Sequence, residues 1–455
     1  MKITVIGGGG VRSMFLAKSL AHSGKRLGIT EIVFMDNNEE KLNIYGKMAK
    51  EVAKRIDPSI LFELTTDPIE AVKDANYVIT TIRVGEDGMR VRDERIALSY
   101  HLLGQETTGA AGFSFAMRSV PALASYCELI KQYAKKDVKV FNFTNPAGVV
   151  SQTLRDMGYD FTYGICDAPS GLLHSIAKVY GVSPDEITGE CYGLNHLSYF
   201  RSVKLNGKEI MQDLLQDDRI YQETDMRFFD KDLVLHMGGL LNEYLYYFYY
   251  PEEAINNILN AKVTRGEVIQ EINSKMTKEL SLMDIENDFD QCLKVYEKWY
   301  NERESAYMAN ETGIKSHKAP FQFSIHEKDN GGYAGVALKY IETILSGEPN
   351  EMILCVPNKG AIEGLMDTDV VEVSCTITKD GHIPHKIENP GELQMELIRR
   401  VKAYERYAST ALRNRSIEEA VDCLMLHPLV NSYSMAKALV DQYISLNAEY
   451  IQGWK

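Results

Sequence analysis

A short β-branched run that passes directly into four glycines constrains this chain more than any other feature. Ile3-Thr4-Val5-Ile6 leads into Gly7-Gly8-Gly9-Gly10, and helical periodicity begins near Ser13. Glycines there let the backbone approach a pyrophosphate, while the following helix offers amide donors and the positive end of its dipole. A second run, Glu31-Ile-Val-Phe-Met35, ends at Asp36. An acidic residue at that point accepts from ribose hydroxyls and selects NAD over NADP. Gly7, Gly8, Gly9, Gly10 and Asp36 are thus the candidate cofactor residues, with NAD as the cofactor. The spacing departs from G-x-G-x-x-G, because Arg12 stands in the third position, where it can accommodate an extra phosphate. Asp36 argues against that use.

The alternation around these glycines predicts the fold. Residues 2–6, 31–35, 77–82, 138–143 and 161–165 read as strands, with helical patterns near 13–23, 38–56 and 116–135. Strands alternating with helices at this spacing predict an α/β, Rossmann-like, doubly wound parallel sheet over residues 1–165. Beyond it, helical stretches near 210–275, 283–310 and 393–450 surround strands at 352–356 and 370–377. Residues 166–455 therefore read as a mixed α/β, helix-rich second domain. No Pro/Ser-rich linker divides the two, and no internal repeat is present.

Composition excludes several classes. With 50 Lys+Arg against 64 Asp+Glu, the net charge of −14 opposes nucleic-acid binding, which needs a basic face. A local cationic pocket for a small anion stays open. Apolar runs fall short of the roughly 20 residues that span a bilayer, and the start lacks a signal pattern, so a cytoplasmic protein without membrane contact is expected. Seven cysteines with no C-x-x-C are expected to be reduced thiols.

Further polar segments carry candidate chemistry. Gly104-Gln-Glu-Thr-Thr-Gly109 and Asn142-Phe-Thr-Asn-Pro146 are turn-rich, and the second closes a strand. Asn145 there is either a substrate contact at the carboxyl end of the sheet or part of an Asn-Pro turn. Cys166-Asp-Ala-Pro169 and Gly193-Leu-Asn-His196 hold a thiol and an imidazole that can share a divalent metal, although their separation matches no metal-binding spacing. Each also fits a purely structural role. Asn242 to Tyr250 contains five tyrosines, which suit packing or a subunit interface. A tyrosine serves as general base only when a cation lowers its pKa from near 10. Arginines at 83, 90 and 265 can hold a phosphate ester in bidentate fashion or stand on the surface.

In this order, the segments resemble glycoside hydrolase family 4, the NAD- and divalent-metal-dependent glycosidases. Gly-Gln-Glu-Thr at 104–107, Asn-Phe-Thr-Asn-Pro at 142–146, Cys-Asp-x-Pro at 166–169, Gly-Leu-Asn-His at 193–196, Asn-Glu-Tyr-Leu at 242–245, Thr-Arg-Gly-Glu at 264–267 and Gly-Gly-Tyr at 331–333 carry it. The resemblance implies that Cys166 and His196 ligate a divalent metal of the manganese type. It implies that Tyr244 is the catalytic base, that Glu106 raises its basicity, and that Arg90, Asn145 and Arg265 contact a small phosphorylated sugar. The arginines would hold its 6-phosphate. The implied reaction oxidises carbon 3 by hydride transfer to NAD, removes the carbon 2 proton, eliminates the glycosidic oxygen, adds water and returns the hydride. A homodimer or homotetramer is likewise implied.

Two departures bear on the substrate. Within the family, Asp after the cysteine marks 6-phospho-α-glucosidases, where it protonates the leaving group, and here that residue is Asp167. Leu194-Asn-His-Leu-Ser198, Asn242-Glu-Tyr-Leu-Tyr246 and Gly331-Gly-Tyr333 look more like a 6-phospho-β-glucosidase branch, which is the favoured expectation. The usual serine after the glycines is Gly10, the second departure. The rival classes are a plain NAD-dependent 2-hydroxy acid dehydrogenase and an inactive NAD-binding sensor. Either leaves Cys166, His196 and Tyr244 without a joint role.

Overall fold

A computed structural model describes residues 1–314, 320–327 and 333–455. The Gly331-Gly-Tyr333 segment therefore lies outside the described residues, apart from the Tyr333 backbone. Six parallel strands, β1 (Lys2–Ile6), β2 (Glu31–Met35), β3 (Leu61–Thr65), β4 (Tyr77–Thr80), β5 (Lys139–Asn142) and β6 (Thr162–Gly164), lie in the order 3-2-1-4-5-6. That order reverses direction at β1, and doubly wound sheets bind ligands in the crevice at such a switch point. The central strands are apolar on both faces because helices cover both; Ile3, Val5 and Ile6 have no exposed surface.

The sheet does not end with the parallel strands. After β7 (Ile187–Leu194), β8 (Leu197–Leu205), β9 (Lys208–Glu209) and β10 (Leu240–Leu241), the strands β11 (Asn350–Pro357), β12 (Val370–Thr378) and β13 (Gly381–Pro384) add antiparallel to the β6 edge. The main sheet is consequently mixed. The expected division at 165/166 marks the end of the parallel strands rather than the end of the sheet. β7, β8, β9 and β10 form a second, smaller sheet, tied to β12 where the Cys191 amide donates to Ser374 Oγ at 3.0 Å. One apolar core runs from Ile3 to Ile451 through both halves.

Several expectations change in detail. The stretch 210–275 is not a run of long helices but a chain of short ones, closing with Pro251–Ala261 and Arg265–Leu280. Residues 283–310 hold one long helix, Phe289–Ser305, and the C-terminal stretch holds Glu392–Asn414, Ile417–Leu426 and Tyr433–Leu446. Helix Glu86–Ser99 and edge strand β3 had no sequence signal, because the helix buries charges and the strand is short and half-exposed. Among the described residues no helix is long and apolar enough to cross a membrane. All seven cysteines are free.

A buried ion pair fixes the C-terminal helix to this frame. Arg118 Nη2 donates to Asp93 Oδ2 at 2.6 Å and its Nη1 to Asn447 Oδ1 at 2.5 Å, while Ser114 Oγ donates to Asp93 Oδ1 at 2.6 Å. Breaking such a pair leaves one charge buried and uncompensated. Asp93→Ala is expected to cost about 3–5 kcal/mol, read as a lowered unfolding midpoint. The double change Asp93→Leu/Arg118→Met should cost less than the single one. A single change that leaves the midpoint in place contradicts this role.

Candidate active site

The loops that follow β1, β4, β5 and β6 open on one cleft of about 1090 Å³. This exceeds the roughly 300–1,000 Å³ of a pocket for one small ligand and leaves room for a cofactor beside a substrate. Gly7, Gly9, Gly10, Asp36, Arg90, Glu106, Asn145, Cys166, Asp167, His196, Tyr244 and Arg265 all line it. Gly8 lies beneath, packed on Phe34. The fold thus brings together residues spread over more than half the sequence.

The glycine end suits a dinucleotide. Gly7 has φ 100° and its missing Cβ would collide with the Thr81 carbonyl, so only glycine fits. The Gly9 amide donates to Asp36 Oδ2 at 2.9 Å and the Asn38 amide to Asp36 Oδ1 at 3.0 Å, which aims the carboxylate across the loop. Arg12 is directed elsewhere. Its guanidinium pairs with Asp167 at 3.9 Å and Glu304 at 3.8 Å, so it bridges the glycine loop to the far wall of the cleft. The structure gives it that bridging role in place of the extra-phosphate contact considered from sequence.

Cys166 and His196 reach the cleft from different sheets. Cys166 follows β6, immediately ahead of the helix Ala168–Tyr180, whose Ala168 amide donates to the thiol. Burial and the nearby Glu372 and Asp167 still push that thiol up. Such a sulfur forms a stable thiolate only against a cation. His196 sits in the two-residue turn between β7 and β8 with φ 62°, a left-handed conformation that its neighbours must hold. Glu372 of β12 holds it: Asn195 Nδ2 donates to its Oε1 at 3.1 Å and Ser198 Oγ to its Oε2 at 2.7 Å. His196 Nδ1 meets Thr107 Oγ1 at 3.1 Å, fixing the ring as metal-bound imidazoles are fixed. Burial lowers its pKa to about 4, so it is neutral, as a metal ligand must be. A thiol and a neutral imidazole fit a divalent ion with open positions. Among the described residues no cluster of three or more Cys, His, Asp or Glu side chains could cage one.

Tyr244 stacks on His196, with ring centroids 3.7 Å apart and planes within 3°. The Asn242 side chain accepts from the Tyr244 amide at 3.0 Å and so sets the turn that presents it. Burial, then Glu243, raises the Tyr244 pKa. The protein groups by themselves keep the phenol protonated. Tyr307 completes this corner, since its hydroxyl donates to Glu243 Oε1 at 2.6 Å and lies 3.4 Å from Tyr244 Oη. Tyr246 and Tyr247 are buried in the chain's own core, so packing accounts for them rather than an interface.

The cations form the third corner. Arg90 is 8% exposed, with Nε on Glu94 at 2.8 Å and Nη1 on Glu106 at 2.9 Å. Burial acts to raise the Glu106 carboxyl, but Arg83 and Arg90 overcome it and hold it at about 2. Glu106 is therefore bound to arginines, and Glu243 is the carboxylate that acts most on Tyr244. Arg265 stands at the first position of its helix through a Thr264/Glu267 capping box. Its Nη2 donates to the Arg303 carbonyl at 2.9 Å, while its buried Nη1 has no partner. Thr107 and Glu243 lay inside the quoted motifs without a role of their own, and sequence reasoning missed Arg303, Tyr307 and Glu372 outright. Of these three only Glu372 carried a signal, as a lone acid in the apolar run Val370-Val-Glu-Val373.

The model of the family 4 glycosyl hydrolases matches residues 2–182, and that of the family 4 glycosyl hydrolase C-terminal domain matches residues 191–430. The 6-phospho-beta-glucosidase BglT of Thermotoga maritima is 28% identical over 461 residues, covering 99% of this chain and 100% of that one. The phospho-alpha-glucosidase PagL of Clostridium acetobutylicum is 27% identical, covering 98% of each. A solved structure of the T. maritima 6-phospho-beta glucosidase with manganese, NAD+ and glucose-6-phosphate superposes with a TM-score of 0.81 at 25% identity, covering 99% of this chain and 100% of that one. The C-terminal match alone takes in more than half the residues, and the chain belongs to glycoside hydrolase family 4.

Proposed function

We propose that this glycosidase is a 6-phospho-β-glucosidase that cleaves phosphorylated disaccharides or aryl 6-phosphoglucosides. The observation that carries this reading is the Tyr244–His196 stack beside Cys166 in the same cleft. It sets a proton acceptor against a residue fit to hold a metal. NAD would lie along Gly7 to Gly10 with its ribose at Asp36, and a divalent ion, most naturally Mn²⁺, would be held by Cys166 and His196. When bound, NAD would supply reversible hydride exchange at carbon 3 of the sugar, and the ion would supply positive charge for the neighbouring oxygens.

The chain's own residues then do the rest. With carbon 3 oxidised, the carbon 2 proton becomes acidic and Tyr244 removes it. The glycosidic bond breaks by elimination as the leaving oxygen takes up a proton, water adds at carbon 1 and gives up a proton in exchange, and Tyr244 returns its own proton to carbon 2. Glu106 keeps Arg83 and Arg90 in place along the wall, while Asn145 and Arg265 meet the sugar and its phosphate. Exposed Tyr407, Met425, Tyr433 and Met435 on the C-terminal helices give apolar area that a homodimer or homotetramer would cover.

A 6-phospho-α-glucosidase is the second reading, and Asp167 favours it. This carboxylate lines the cleft at the start of the helix Ala168–Tyr180, with 42% of its side chain exposed, where it can protonate a leaving oxygen. Against that role, it faces the Arg12 guanidinium at 3.9 Å rather than standing alone. Matched aryl glucosides, α and β, with and without the 6-phosphate, separate the readings when NAD and manganese are present. The highest kcat/KM is expected for the β-linked phosphorylated compound. A higher value for the α-linked one reverses the anomer, and equal turnover without phosphate removes the phosphosugar assignment.

Tyr244→Phe keeps the ring on His196 and deletes only the proton acceptor. It should lower kcat by roughly 10²–10⁴-fold with NAD affinity unchanged. Activity within a few-fold of the unaltered enzyme removes Tyr244 as the base.

A further inference from the structure

The arginines of the cleft are not equivalent. Arg83 and Arg90 are paired with carboxylates, and Arg12 reaches Asp167 and Glu304. Arg265 and Arg303 lie together, joined through the Arg303 carbonyl, and neither has a carboxylate within ion-pair distance among the described residues. Arg265 Nη1 and Arg303 Nε are buried without a hydrogen-bond partner. Both side chains line the cleft, Arg303 from the last turn of the helix Phe289–Ser305. Burial, together with Arg90 and Arg303, works against the charge on Arg265.

Two neighbouring arginines that each bury an unpartnered nitrogen and, among the described residues, have no carboxylate partner are costly unless an anion completes them. They stand inside a protein of net charge −14, where carboxylates were plentiful as alternative partners. A phosphate monoester carries close to two negative charges and accepts several charge-assisted hydrogen bonds, which matches two guanidinium forks. Glu311 marks the edge of this corner. Burial pushes its carboxyl up, and its Oε2 has no partner.

We propose that Arg303 is the second cation of the substrate-phosphate cradle beside Arg265, and so a determinant of specificity for 6-phosphorylated over free glycosides. This inference rests on the phosphosugar reading above. Arg303 is a binding residue here, outside the proton chemistry at Tyr244. The dinucleotide's own phosphates belong at the glycine loop, so cofactor affinity separates the two anion sources.

The test compares Arg303→Met and Arg303→Lys with the unaltered holoenzyme. Arg303→Met should raise KM for an aryl 6-phosphoglucoside roughly ten- to a hundred-fold while kcat stays within about threefold. NAD affinity should not move, and Arg303→Lys should recover part of the loss. Calorimetric binding of glucose 6-phosphate and of inorganic phosphate should weaken in parallel. Unchanged binding of both anions in Arg303→Met overturns the inference, and so does an equal loss on phosphorylated and unphosphorylated glucosides. The inorganic phosphate arm also separates the two claims. If the enzyme proves indifferent to substrate phosphorylation yet binds inorganic phosphate through Arg303, the phosphosugar reading fails and takes the specificity role of Arg303 with it, leaving only an anion site; loss of phosphate binding in Arg303→Met with phosphosugar preference intact in the unaltered enzyme separates the two.

Discussion

The cleft depends on a buried carboxylate, Glu94, that joins the two halves of the chain. Its Oε1 accepts from Arg90 Nε at 2.8 Å and its Oε2 from the Gly266 amide at 2.8 Å. A Cβ at position 266 would stand 2.6 Å from that same Oε2, so glycine is what lets the second helix come this close. Arg90 then passes the link on to Glu106. Removing any member leaves a charge buried without its partner, a cost of several kcal/mol in such a setting. The wall of the cleft, the start of the helix Arg265–Leu280 and hence the position of Arg265 all follow from this one junction.

That junction also explains what the sequence could and could not reveal. The strands of the nucleotide half other than edge strand β3 announced themselves because they are largely buried and read as continuous apolar, β-branched runs. The helix Glu86–Ser99 shows no clear apolar stripe because its inward face interleaves Arg90, Asp93 and Glu94 with Met89, Ala97 and Leu98. Hydrophobic periodicity is blurred in a helix whose buried face is half ionic. The hairpin β7–β8 was missed for a related reason. Its turn owes its form to Glu372, nearly two hundred residues later, and no local spacing encodes that.

The candidate residues fared unevenly as physical assignments. Cys166, His196 and Tyr244 had no joint role in sequence terms except through family resemblance, yet the fold brings all three to one cleft. Glu106 and Arg90 came out of the same resemblance as separate parts, a carboxylate for the base and a cation for the phosphate. In the structure they are bound to each other, and Glu106 is still among the charges that raise the Tyr244 pKa. Among the described residues of the cleft, the cations without a carboxylate partner are Arg265 and Arg303, and position 303 continues the stripe of Cys292, Tyr296 and Tyr300 on its helix.

The central claim is that an oxidised sugar loses its carbon 2 proton to Tyr244, which burial alone would keep protonated. Its direct test is turnover of an unlabelled 6-phosphoglucoside in heavy water, followed by analysis of the released glucose 6-phosphate. The account predicts deuterium at carbon 2 of the product in the unaltered enzyme. A product without deuterium at carbon 2 after many turnovers contradicts it, even with glucosidase activity intact.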